Sequence, residues 1–150
     1  MDGMQKNRFS SKVLLFGEYS VIRGSRALAI PFTRFSGQWT CEGTPSEEEK
    51  NSLQYLLQEL QRLQVHGKLK AKLALDRFAA ELKAGCSFSS TIPVGYGMGS
   101  SGALSAGVYA RYQQEAFPPV AQIKEQLAQI ESVFHGSSSG FDPLVSLLGK

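Results

Sequence analysis

The chain has 150 residues, 42% of them apolar and 19% charged, with a formal net charge of +3. This is the composition of one ordinary globular domain; it excludes a large multidomain enzyme and a disordered chain. No uninterrupted apolar run approaches the roughly 20 residues that cross a bilayer, and no basic run or basic and aromatic stripe accompanies the charge, so membrane and nucleic acid are set aside as partners.

Near the amino terminus the apolar stretch Val13 to Phe16 is too short for a signal-peptide core, and the sequence reads as cytoplasmic. Lys12 to Phe16 is expected to form a buried strand stopped at Gly17. Tyr19 to Ile22 and Ala27 to Ile30 follow as two short strands joined through Arg23-Gly24-Ser25-Arg26, with Pro31 limiting the second. Phe35, Gly37, Trp39 and Cys41 alternate with Ser36, Gln38 and Thr40, the period of a half-buried strand. Cys41 and Cys86 are far apart and have no histidine in metal-ligand spacing, so both read as ordinary thiols.

Ser46-Glu47-Glu48-Glu49 is a capping-box pattern, and Leu53, Leu56, Leu57, Leu60 and Leu63 continue it at helical spacing as far as Gly67. Leu69 to Leu75 suits a strand, and Asp76 suits the cap of a short helix ending at Gly85, although alternation and helical spacing compete here. Cys86 to Ile92 reads as a strand stopped by Pro93, followed by the glycine-rich loop Val94 to Gly102 and a helix from Ala103 to Glu115. Pro118-Pro119 introduces an amphipathic helix carrying Val120, Ile123, Leu127, Ile130 and Phe134, ended by Gly136. Asp142-Pro143 is suited to cap and begin a last helix.

Strand, glycine loop and helix in that order make a phosphate-binding arrangement: small residues let backbone N–H groups approach an anion, and the helix adds its unpaired amides. Alone, a loop of this composition also serves as a flexible connector, and it lacks the lysine of a Walker A loop. Glu131 falls off the apolar stripe of its helix, where a solvated carboxylate is the plain reading. Asp142 alone reads as an N-cap and Lys12 as a strand-edge charge. Gly136-x-Ser138-x-Gly140 matches a hydrolase nucleophile elbow literally, but it follows a helix rather than a strand, and both His66 and His135 precede Ser138, so the context rejects it.

Taken together, Lys12-Val-Leu-Leu-Phe-Gly-Glu-Tyr-Ser-Val, Pro93-Val-Gly-Tyr-Gly-Met-Gly-Ser-Ser-Gly-Ala and Glu131-x3-His135-Gly-x2-Ser139-Gly-x-Asp142 resemble the GHMP kinase superfamily, named for galactose, homoserine, mevalonate and phosphomevalonate, and its mevalonate kinase branch above all. The resemblance implies an α/β (α+β) fold, a mixed, largely antiparallel sheet backed by helices, as the amino-terminal, ribosomal-protein-like domain of those kinases. The carboxy-terminal domain is absent from residues 1–150 and would be supplied in cis or in trans, and the piece alone is expected to be inactive.

The resemblance also implies ATP and Mg2+ as cofactors and assigns roles by position. Gly95, Gly97, Met98, Gly99, Ser100, Ser101 and Gly102 match the loop that cradles the ATP phosphates. Ser101 and Glu131 match the magnesium ligands, Asp142 the catalytic base, and Lys12 the lysine that stabilises Asp142 and the attacking oxygen. Glu18, Tyr19 and Ser139 match substrate-binding positions. Tyr19 stands where many mevalonate kinases have histidine, Met98 where leucine is usual and Gly102 where alanine is usual. The implied reaction is phosphorylation of the primary hydroxyl of mevalonate to 5-phosphomevalonate in isoprenoid precursor synthesis. Phosphomevalonate or another small alcohol is the alternative acceptor, and a non-catalytic nucleotide-binding or assembly module the alternative of another class; a homodimer is compatible with either.

Overall fold

The computed structural model describes residues 7–17 and 26–149 of the chain. The strand expected over Tyr19 to Ile22, its turn at 23–25 and the substrate-binding positions Glu18 and Tyr19 lie outside the described residues. Among the described residues three strands, β1 (Arg8–Phe16), β2 (Leu28–Thr40) and β3 (Ser87–Ser90), form a sheet in the order β1-β2-β3 with both pairings antiparallel. The described residues also form five helices that pack with it: α1 (Glu47–Val65), α2 (Leu75–Lys83), α3 (Ser100–Tyr112), α4 (Val120–His135) and α5 (Phe141–Leu148). This is the α/β class expected, with α3 at the centre, touching all three strands and α2, α4 and α5.

Pro31 does not end a strand. β2 runs through it, and Pro31 stands opposite Lys12 of β1, whose own N–H turns away to the Met98 carbonyl at 3.1 Å. No ladder bond is therefore asked of the missing proline N–H on that side, and on the other β3 reaches only Gly37 to Thr40, so among the described residues no strand there asks for it either. The register of β1 on β2 shifts between Ser10 and Ser11, where the partner jumps from Ser36 to Phe32.

The capping box forms as its residues dictate: the Ser46 hydroxyl accepts the Glu49 N–H and the Glu49 carboxylate accepts the Ser46 N–H. Leu53, Leu56, Leu57 and Leu60 of α1 are buried on the core side. The strand expected over Leu69 to Leu75 is absent: only Leu73 bridges to Gln113, and α2 starts at Leu75, so Asp76 sits in its first turn and caps nothing. The apolar residues there are used instead to bury Ala71, Leu73, Leu75 and Phe78 beneath α3 and α1. α3 begins three residues earlier than expected, at Ser100, and ends at Tyr112, while α5 is capped by Gly140, which leaves Asp142 inside the first turn.

Cys41 and Cys86 form a disulfide and are not free thiols. The cause is register: Thr40 pairs with Ser87 in the β2–β3 ladder, so the next residues outward, Cys41 and Cys86, face each other with Cα atoms 3.9 Å apart. Beside them the core holds an aromatic group in which the Trp39 ring meets Phe78, Phe88 and Tyr112 edge-on and its indole N–H donates to the Gly107 carbonyl at 3.0 Å. Phe88 lies between two glycines, since a Cβ on Gly37 or Gly107 would come within 2.2 or 2.5 Å of its ring.

Candidate active site

Short links between elements gather residues from three distant parts of the sequence. The Lys12 N–H donates to the Met98 carbonyl at 3.1 Å, fixing β1 beside the glycine loop. Ser146, fully buried on α5, donates its hydroxyl proton to the Ser10 carbonyl at 2.7 Å, fixing that helix to β1. The Ser101 hydroxyl, at the start of α3, donates to Glu131 Oε1 of α4 at 3.1 Å. The result is a cleft of about 1140 Å3 whose walls include the loop from Gly95 to Ser101, Lys12, Glu131, Ser139 and Asp142.

Backbone conformation opens this loop to an anion. Gly99 is the N-cap of α3 with φ of 79°, a left-handed conformation that a side chain resists, and a Cβ there would press on the Lys12 stem at 3.0 Å. The first helical amides, at Ser100 and Ser101, have no carbonyl one turn earlier and line the cleft with the positive end of the helix dipole. Gly95, Gly97, Met98, Gly99, Ser100 and Ser101 all line it. Gly102 does not: it is buried on the other side of the turn, where a Cβ would meet the Asp142 Cβ and the Pro143 nitrogen at 3.0 Å. Its bare Cα lets α3 approach α5.

Lys12 is 6% exposed, and its ammonium lies 3.2 Å from Asp142 Oδ1. A buried ammonium needs a partner, and Asp142, in the first turn of α5 and facing the cleft, supplies it. Glu131 is buried, 5% exposed, and not the solvated carboxylate that its place off the apolar stripe indicates. Burial pushes its carboxyl above the usual carboxylate range; the Asp142 charge acts in the same direction, while the Ser138 and Ser101 hydroxyls and His135 act against it. His135 stands in the third sequence motif, where the pattern alone gives it no role. Its Nε2 lies 2.8 Å from the Ser101 oxygen, so a hydroxyl proton given to Glu131 leaves the ring N–H to donate to Ser101. Ser139 accepts the Phe141 N–H at 3.3 Å, an exposed turn contact.

Among the described residues, Lys12 supplies the only ammonium or guanidinium lining the cleft, against the two carboxylates of Glu131 and Asp142. A polyphosphate bound there needs further positive charge. Ser101 Oγ and Glu131 Oε1, adjacent and both hard oxygens, are the donor chemistry that suits Mg2+, an ion that keeps several waters and takes phosphate oxygens as remaining ligands. No group of three or more His, Cys, Asp or Glu side chains is placed to hold a metal by itself among the described residues, and no helix among them is long and apolar enough to cross a membrane.

Comparison with known proteins gives the chain a family. The family profile of the GHMP kinases N terminal domain matches residues 57–150. The mevalonate kinases of Thermococcus onnurineus, Pyrococcus horikoshii and Thermococcus gammatolerans are each 29% identical to the chain over 93% of its length and 48% of theirs. The chain thus spans about half the length of the curated relatives it matches.

Proposed function

The chain belongs to the GHMP kinases, of which it carries the amino-terminal domain, and on that premise we propose that it serves the ATP- and Mg2+-dependent phosphorylation of the primary hydroxyl of mevalonate, giving 5-phosphomevalonate. The observation that carries this reading is the juxtaposition of the Lys12–Asp142 pair with the glycine loop and the Ser101–Glu131 pair around one cleft. The mevalonate kinases among its relatives favour that acceptor. A carboxy-terminal domain would complete the nucleotide and acceptor pocket.

In this reading the loop amides from Gly95 to Ser101 hold the polyphosphate oxygens, and Ser101 and Glu131 hold Mg2+. When bound, the metal neutralises charge on the phosphates. Asp142 accepts the proton of the acceptor hydroxyl as the hydroxyl oxygen bonds to the γ-phosphorus and the bond from that phosphorus to the departing ADP oxygen breaks, or orients that hydroxyl for attack. Lys12 keeps the Asp142 carboxylate in place and stabilises the negative charge that grows on the attacking oxygen, the kind of fixed charge that contributes most to such reactions. Nothing in this scheme requires covalent chemistry from the protein; positioning and charge suffice.

The experiment is an acceptor screen with the full-length protein, Mg2+ and γ-labelled ATP against mevalonate, phosphomevalonate and simple sugars. Labelled 5-phosphomevalonate is the expected product. Label only in phosphomevalonate or a sugar would reassign the acceptor, and nucleotide binding with no transfer to any acceptor would make the protein a binding module.

A further inference from the structure

One residue in the third motif belongs to neither the phosphate loop nor the acceptor side, yet it touches both carboxylate-bearing elements. The Ser138 hydroxyl donates to Glu131 Oε2 at 2.5 Å, and the same hydroxyl oxygen accepts the Gly140 N–H at 3.0 Å. A hydroxyl has one proton to give, so these two bonds fix its orientation. The other oxygen of Glu131 is already taken by Ser101, so each carboxylate oxygen receives one serine proton, from α3 on one side and from the α4–α5 loop on the other. The carboxylate cannot turn about its last torsion without breaking one of them.

The far end of this bridge is also tightly packed. Gly140 has φ of 74° and is pressed so closely on α4 that a Cβ would lie 2.1 Å from the Lys124 carbonyl. It is the N-cap of α5, two residues before Asp142. Ser138 therefore spans two fixed points, the Glu131 side chain and the backbone from which Asp142 is presented. Neighbouring Ser139 makes a similar turn contact, to the Phe141 N–H, on the exposed side of the loop.

We propose that Ser138 is a positioning residue that locks the Glu131 carboxylate toward Ser101 and ties it to the start of α5, so that the metal-side and acceptor-side carboxylates keep one fixed separation. The assignment rests on the reading of Glu131 and Ser101 as metal ligands. A supporting group of this kind is worth about ten-fold or more in metal affinity.

The test compares Ser138→Thr with Ser138→Val, side chains of one shape that differ in the hydroxyl, alongside Ser138→Ala. Mn2+ binding to the full-length protein is followed by electron paramagnetic resonance with a non-hydrolysable ATP analogue present, and melting temperature without metal is recorded for each. The expected result is that Thr binds Mn2+ close to wild type while Val and Ala bind about ten-fold more weakly, with Thr and Val melting alike. Equal Mn2+ affinity of the Thr and Val variants overturns the role of Ser138 while leaving the kinase reading standing. Failure of the wild type itself to bind Mn2+ with the nucleotide analogue overturns that reading and this assignment with it.

Discussion

At the scale of single residues, Glu131 carries the clearest physical signature. Its carboxyl is buried among Ser101, Ser138 and His135 and faces Asp142 across the cleft, and burial raises it above the ordinary value of 4.5. The folded chain thus holds this proton to higher pH than the unfolded chain does. Stability contributed by protonated Glu131 is fully present below the unfolded pKa and is lost as pH rises through the folded one. Melting curves without divalent cations should show wild type losing ground to Glu131→Gln across that window as pH increases. A difference between the two proteins that does not change with pH would show that burial leaves this carboxyl unshifted.

At the scale of elements, the closest tolerance is between the sheet and α3. Gly37 of β2 and Gly107 of α3 leave room for the Phe88 ring of β3, and Trp39 ties the same helix turn to the sheet through the Gly107 carbonyl. Gly107→Ala places a methyl group where ring atoms already stand, and overpacking of that kind costs about 1–3 kcal/mol. Urea unfolding should report a loss of that size, with Phe88→Leu in the Gly107→Ala background recovering part of it. An unchanged midpoint would mean that α3 shifts freely on the sheet, and the alignment of Ser101 with Glu131 would then lack its support. A second clasp holds α2 on α3, where the Glu81 carboxylate accepts from Arg77, Arg111 and Tyr112.

At the scale of the whole molecule, the Cys41–Cys86 disulfide closes a span of 45 residues that includes α1 and α2. Replacing both cysteines by alanine should lower stability by about 2–4 kcal/mol, read by urea unfolding, and thiol titration of the unfolded, unreduced chain should find no reactive cysteine. Two reactive thiols would contradict the pairing. This bond was not legible in the sequence because it depends on which residue of β2 stands opposite which residue of β3, and nothing local to Cys41 or Cys86 states that. Pro31 misled for a related reason: a proline ends a strand only where its N–H is needed, and here Lys12 bonds to Met98 instead. The burial of Glu131 was hidden because its partners, Ser101 and Ser138, come from other elements. By contrast, the capping box at Ser46, the leucine ridge of α1 and the glycine loop leading into α3 were readable, since each is written in neighbouring residues. The link from Lys12 to Asp142 comes only through resemblance, as the two stand 130 positions apart in the chain and no periodicity connects them. In the proposed function this pair, beside the glycine loop, serves phosphoryl transfer. That role is read from the rate of γ-phosphoryl transfer from Mg-ATP to mevalonate by the full-length protein and by its Asp142→Asn variant, with nucleotide affinity measured on both. Transfer is expected in the wild type, with a loss on the order of 10²–10³-fold in the variant and unchanged nucleotide affinity; comparable transfer rates in the two proteins would rule out a catalytic role for Asp142.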